Sequence, residues 1–245
     1  MRYVLVGILL FMLPWNGWAY KEVAVTNGAT LTGKVLFQGT PPAPKQVVIN
    51  KNPEVCGTGY RELQEVKVTP EGGLQEVVVF LEKVKQGKPW PAPPDNGYLI
   101  DQKNCAFRPY LQVVPKKAKL VIVNSDPVLH NIHTYELIKR ARRTLFNFGQ
   151  PTQGMKTTKR LKTRRGNVVR VECDAHNFML AWIFVADNPY YAVVDEQGEF
   201  TITDIPPGTY RVKAWHPFLG FQKAQKVTLA AQGKAEVNFT YQAKE

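Results

Sequence analysis

Three features of the sequence predict an all-β chain. Short runs rich in Val, Ile, Thr, Tyr and Phe recur along most of its length. Gly, Pro and Asn punctuate them, and helical spacing of apolar residues occurs in one segment only, Tyr135 to Phe148. β-Branched and aromatic side chains suit the pleated, half-buried surface of a sheet, and the punctuating residues supply the backbone angles that turns need. In the exceptional segment Leu137, Ile138, Ala141 and Leu145 would share a helix face, and the reading stays open between a short helix and an extended basic loop.

The runs fall into three groups. Before residue 98 lie Leu31 to Gly39, Lys45 to Asn50 and Gly73 to Glu82. After residue 187 come Tyr191 to Asp195, Gly198 to Ile202, Gly208 to Trp215, Ala224 to Leu229 and Ala235 to Tyr241. Neither flank alone has enough strands for a comfortable sandwich. The preferred organisation is one discontinuous β-sandwich made from residues 20–97 and 188–245, with residues 98–187 inserted as a second sandwich. Two consecutive domains followed by a C-terminal sandwich is the alternative. Lys85 to Asn96, dense in proline and glycine, reads as the crossing linker. Ile205-Pro-Pro-Gly208 makes the turn that lets Tyr210 to Trp215 pair back.

The middle group carries the chemistry. The β-branched run Lys119 to Asn124 is followed by Ser-Asp-Pro-Val-Leu-His130-Asn-Ile-His133, and further on stands Glu172-Cys173-Asp-Ala-His176-Asn-Phe-Met179. Cys173, His176 and Met179 are each three residues apart, a spacing that a tight turn leaving one strand can aim at a single point. His130 must then arrive from a neighbouring strand. Two imidazoles, a thiolate and a weak axial thioether form the ligand set of a blue-copper centre, in which soft sulfur suits Cu(I) and imidazole suits Cu(II). His133 is expected on the same strand face as His130, outside the ligand set. His216, in Trp215-His-Pro, reads as a loop residue. Phe146, Phe148, Phe178 and Trp182 are expected mainly as packing, able to shield the metal.

From Tyr98 to Asp187 the chain resembles a small cupredoxin, on Phe107-Arg-Pro-Tyr-Leu-Gln-Val-Val, Leu120-Val-Ile-Val-Asn-Ser-Asp, His130-Asn-Ile-His133 and Cys173-x2-His176-x2-Met179. The last spacing is similar to amicyanin rather than plastocyanin. The resemblance implies a Greek-key sandwich with one type 1 copper held by His130, Cys173, His176 and Met179. Asn177 departs from the pattern, since amicyanin has proline there, but no ligand is removed. Asp195 to Val212 resembles the second half of a carboxypeptidase regulatory-like, prealbumin-type sandwich, and Thr32 to Gly39 its first strand.

Met1-Arg2, the apolar stretch Val4 to Leu13 and the small-x-small triplet Gly17-Trp18-Ala19 read as a cleavable leader, residues 1–19, which implies a periplasmic or otherwise exported protein. There are three cysteines. A copper thiolate uses Cys173, which leaves Cys56 and Cys105 as the candidate disulfide of an exported chain; two separate reduced thiols are the alternative.

The net charge is +12, and it is concentrated: from Leu137 to Val171 stand Lys139, Arg140, Arg142, Arg143, Lys156, Lys159, Arg160, Lys162, Arg164, Arg165 and Arg170, without one Asp or Glu. Export and the lack of any nucleic-acid motif argue against nucleic acid as the partner. The lobe, and Arg160, Lys162, Arg164 and Arg165 in particular, instead suits an acidic redox protein such as a c-type cytochrome or dehydrogenase, or an anionic membrane surface; a solvated positive face is the plain alternative. Four histidines are too few for a multicopper catalytic cluster, and no carboxylate pair, Ser-His-Asp order or phosphate-cradling glycine loop is evident, so the chain does not read as an enzyme. The expected function is single-electron transfer. A copper carrier or chaperone, and a structural β-protein with no redox role, are the competing classes.

Overall fold

The computed structural model describes residues 20–95 and 97–243. The expected leader, residues 1–19, and Asn96 at the end of the expected linker lie outside them. Among the described residues the one α-helix is a single turn, Pro53–Cys56, and the remaining regular structure is strand.

Two sheets enclose the middle of the chain. One orders its strands Lys156–Arg160, Lys119–Asn124, Tyr98–Gln102 and Phe107–Arg108; the other orders Ala141–Gln150, His130–Ile138, Val168–Glu172, Leu180–Ala186 and Leu111–Pro115. Their inner faces bury Ile100, Leu120, Ile122, Ile132, Val169, Val171 and Ile183. The alternation explains the layers: along Lys119–Asn124, Leu120, Ile122 and Asn124 point inward while Lys119, Val121 and Val123 do not.

A second core joins both ends of the sequence. Leu31, Val35 and Phe37 pack with Val79, Leu81, Tyr190, Phe200, Val212 and Phe239. Strand Ala29–Gln38 pairs antiparallel with Glu199–Ile205, and Val78–Leu81 pairs antiparallel with Gly208–His216, so the two flanks interleave. Within the expected linker, Gln86–Gly87 pairs parallel with Lys21–Glu22.

Strand Leu180–Ala186 is covered on both faces, which is why it reads as a nearly unbroken apolar run. Ala181, Ile183 and Val185 face the central core. Trp182, Phe184 and Ala186 face a seam with Val78 and Trp215 of the flanking unit, where the Trp182 and Trp215 rings lie 5.9 Å apart. Trp182 therefore belongs to the junction and not to the aromatics packed around the loop from Cys173 to Met179.

Three expectations need correction. Tyr135 to Phe148 is neither helix nor loop: strands His130–Ile138 and Ala141–Gln150 form an antiparallel hairpin, Ile138 opposite Ala141 and His130 opposite Gln150. The helix-like spacing arose because a bulge between Thr134 and Tyr135 shifts the register, and because the inward position that should have been apolar holds Glu136. The turn is Lys139-Arg140, with Lys139 at φ 55°, and it carries none of the Gly or Asn that usually advertise a hairpin. His216 is the last residue of strand Gly208–His216 and is fully buried; its Nδ1 accepts the backbone N–H groups of Phe218 and Leu219. Finally, the hairpin Lys45–Val48 and Tyr60–Leu63, with the helical turn between them, packs not with the flanking core but against the central one, through Val47, Ile49, Val55 and Cys56.

Candidate metal centre

Strand Lys119–Asn124 ends on a buried asparagine that shapes the next turn. Asn124 Oδ1 accepts the Asp126 N–H at 3.0 Å, and its Nδ2 donates to the carbonyls of Val128 and Gln150, both at 2.8 Å. This Asx-type turn brings Asp126 beneath the first residue of the following strand, His130. Asp126 Oδ1 accepts the Asn104 N–H and Oδ2 the Cys105 N–H, each at 2.7 Å, while Oδ2 also lies 2.9 Å from His130 Nε2.

The other ligand candidates come from one loop, as their spacing predicts. It leaves strand Val168–Glu172 at Cys173 and re-enters strand Leu180–Ala186, and the Met179 N–H donates to the His176 carbonyl at 3.0 Å. Asn131 ties the loop to the His130 strand: its Oδ1 accepts the N–H groups of Asp174 and Ala175, and its own N–H points at Cys173 Sγ at 3.5 Å.

These elements bring His130, Cys173 and His176 together. One nitrogen or sulfur of each lies within 4.8 Å of the others, and the three residues are 0%, 3% and 1% exposed. His130 Nδ1 and His176 Nδ1 are 3.1 Å apart, and Cys173 Sγ is 3.7 Å from His176 Nδ1. Met179 is buried with Cys173 in the same core. A second grouping, Cys105, Asp126 and His130, overlaps this one. Its sulfur is already bonded: Cys56 and Cys105 form the expected disulfide, and Cys173 is the free cysteine.

The hydrogen bonds on the far side of each ring fix what the near side offers. Asp126 Oδ2 already accepts a backbone N–H, so His130 Nε2 carries the proton that meets it. His176 Nε2 lies 3.1 Å from Asn52 Oδ1, and the Asn52 amide is oriented by its Nδ2 donating to Glu54 Oε1 at 3.3 Å. Burial, reinforced by the neighbouring His130 and Lys51, lowers His176 to about 4, so this ring is neutral at pH 7. Nε2 of each ring is thus turned to an oxygen acceptor, and each Nδ1 is turned to the other ring beside the Cys173 sulfur. Two imidazole nitrogens and one thiol sulfur, with a thioether buried in the same core, suit copper. Burial pushes the Cys173 thiol up, against N–H groups of Asn131, His176 and Ala175 that pull it down. A metal there must displace the thiol proton.

His133 lies elsewhere than expected. Three residues from His130 on a period-two strand, it faces the opposite way. Its Nδ1 is 3.1 Å from Asp174 Oδ1 and 2.8 Å from the Tyr135 hydroxyl, and its ring stacks on Tyr135. Phe178 is buried with its ring 5.6 Å from that of His176, and the Arg61 guanidinium lies over its outer face at 5.1 Å. Phe146 and Phe148 pack at the edge of the same core.

Arg160, Lys162, Arg164 and Arg165 are all exposed. The lobe is less unopposed than its sequence window implies, because carboxylates stand just outside that window: Arg143 pairs with buried Glu136, and Arg142 and Arg170 with Glu172. Glu136 also accepts the backbone N–H groups of Arg164, Arg165 and Gly166. It lies six positions along the strand from His130, about 20 Å at roughly 3.3 Å per residue.

Asp126, Asn131 and Asn52 escaped the sequence reading. The Asn124-Ser-Asp-Pro turn was a signal for Asp126, and the position next to His130 one for Asn131. Nothing local marks Asn52, far away in sequence.

Comparison with known proteins gives partial matches. The model of polysaccharide lyase family 4, domain II matches residues 176–237, a different family from the carboxypeptidase regulatory-like one expected for the flank. No curated protein sequence matches the chain. Among solved structures, a purple cupredoxin from Nitrosopumilus maritimus is 18% identical over 36% of this chain and 99% of its own, with a TM-score of 0.31. A mutant amicyanin in its reduced Cu(I) form is 12% identical over 44% of this chain and 98% of its own, TM-score 0.32. A copper-containing nitrite reductase from Thermus scotoductus SA-01 is 15% identical over 42% of this chain and 24% of its own, TM-score 0.30.

Proposed function

We propose that this chain is an exported, non-enzymatic electron carrier whose single copper is held by His130, Cys173 and His176, with Met179 as axial ligand. The observation that carries the reading is the buried convergence of the two Nδ1 atoms, 3.1 Å apart, with the one free cysteine among the described residues. When bound there, copper supplies one-electron exchange between Cu(I) and Cu(II).

The chain's own residues supply the rest. Asp126 and Asn52 hold the two imidazoles in one tautomer, so neither ring must turn or move a proton when the charge at the site changes. Asn131 fixes the loop that presents Cys173, and Ile132, Val171, Phe178 and their neighbours exclude water. A preset donor cage in an apolar setting keeps rearrangement on electron exchange small.

Burial also supports retention over delivery. A copper chaperone hands over its metal through exposed ligands, whereas His130, Cys173 and His176 are at most 3% exposed. For the partner we infer an acidic redox protein steered by the exposed Arg160, Lys162, Arg164 and Arg165, with an anionic membrane surface as the competing reading. Stopped-flow exchange with a reduced acidic cytochrome tests the function: second-order electron transfer at micromolar concentrations is expected. Copper loss to a chelator on the same timescale, without electron transfer, would favour the carrier reading.

A further inference from the structure

Asn52 departs from what its position in the chain calls for. It occupies the N-cap of the turn Pro53–Cys56, where an asparagine side chain ordinarily accepts a backbone N–H from the next turn. Here the side chain makes no such bond. The residue also sits at φ 48°, ψ 51°, the left-handed region that asparagine tolerates better than most. The forgone cap is exchanged for one contact, Oδ1 to His176 Nε2 at 3.1 Å across 124 residues of sequence.

What holds Asn52 there is equally specific. Four residues on, Cys56 is bonded to Cys105. The Cys105 N–H donates to Asp126 Oδ2, the same oxygen that faces His130 Nε2. Arg61 reinforces the junction, its guanidinium donating to the carbonyls of Cys56 and Cys105 while covering Phe178. The disulfide thus joins the two segments that orient the two imidazoles, one at each sulfur.

We propose that Asn52 is a positioning residue for His176 and that the Cys56–Cys105 disulfide, by fixing Asn52 to the Asp126 turn, is the clamp that keeps both rings aimed at the metal and closes the site over His176. The proposal rests on the copper reading for its consequence but not for its geometry. Loss of a group that orients a ligand ring typically weakens metal binding by about ten- to a hundredfold.

Two substitutions separate positioning from folding. Asn52→Gly tolerates the left-handed backbone and deletes the acceptor; Asn52→Asp keeps an acceptor oxygen. In the metal-free protein, 15N spectra of the His176 ring should report an Nε2–H tautomer in the wild type and in Asn52→Asp, and a tautomer mixture in Asn52→Gly. In the copper-loaded protein, loss of metal to a chelator should accelerate about ten- to a hundredfold in Asn52→Gly and stay near wild type in Asn52→Asp. Removing the disulfide by the pair Cys56→Ser and Cys105→Ser should give at least that acceleration, and adding Asn52→Gly to it should add little, since the Asn52 contact depends on the bridge. An unchanged His176 tautomer in Asn52→Gly, or fully multiplicative effects of the two changes, overturns the proposal. A protein that takes up no copper yet shows the tautomer change would instead leave the clamp standing and sink the copper reading.

Discussion

Asp126 and His130 are joined across a single turn: the carboxylate oxygen 2.9 Å from His130 Nε2 is the one that accepts the Cys105 backbone N–H. One side chain therefore orients the His130 ring and secures a loop. Asp126→Ala should leave two backbone N–H groups without their acceptor, the buried one of Cys105 costing roughly 1–3 kcal/mol and that of exposed Asn104 less. It should also weaken copper binding about ten- to a hundredfold by freeing the ring. Denaturant unfolding and competitive copper titration measure the two effects, and an unchanged affinity would remove Asp126 from the account.

The Glu136 carboxylate predicts an acid-labile component of stability. Burial opposes its charge, but the N–H groups of Gly166, Arg165 and Arg164, together with Arg143, prevail and bring it from 4.5 to about 2. A folded-state value below the unfolded one contributes in full above the unfolded value and is lost as pH falls toward about 2. Glu136→Gln should cost on the order of 2–3 kcal/mol at pH 7. It should also flatten the fall in stability that wild type shows on acidification. Urea unfolding across that range decides it; parallel curves for the two proteins would contradict the assignment.

The strand alternation from Lys119 to Asn124 and the Cys173-x2-His176-x2-Met179 spacing were legible because each is a local pattern with a physical period. The hairpin His130–Ile138 and Ala141–Gln150 was not, because buried Glu136 occupies the place of an apolar residue and a bulge breaks the register. Its carboxylate is balanced by Arg143 and by a loop nearly thirty residues away, information that no window of sequence contains. Asn52 is the same case at longer range. Its meaning comes from a disulfide and a 3.1 Å contact that exist only in the folded chain.

Met179 supplies a test of the axial position. Met179→Leu should keep the intense colour of the copper-loaded protein while raising its reduction potential, because losing a weak thioether donor destabilises Cu(II) more than Cu(I). Voltammetry reads the shift; an unaltered potential would show that Met179 does not reach the metal.

Partner encounter should be sensitive to salt. Arg164 and Arg165 lie near the end of the His130–Ile138 strand remote from His130, so their influence is through the long-range field rather than contact with the site. Reversing both to Glu should slow exchange with an acidic redox protein at low ionic strength and leave the copper spectrum unchanged. The difference should shrink as the screening length falls to about 8 Å at physiological salt. Equal low-salt rates would make this lobe a solvated face.

The most direct measurement is the visible spectrum of the protein loaded with Cu(II), recorded beside Cys173→Ala. A thiolate held by copper with His130 and His176 should give an intense sulfur-to-copper charge-transfer band, and Cys173→Ala should lose it while retaining the wild-type circular dichroism. A loaded wild type without that band, or a variant that keeps it, would contradict the assignment of this site as a copper electron-transfer centre.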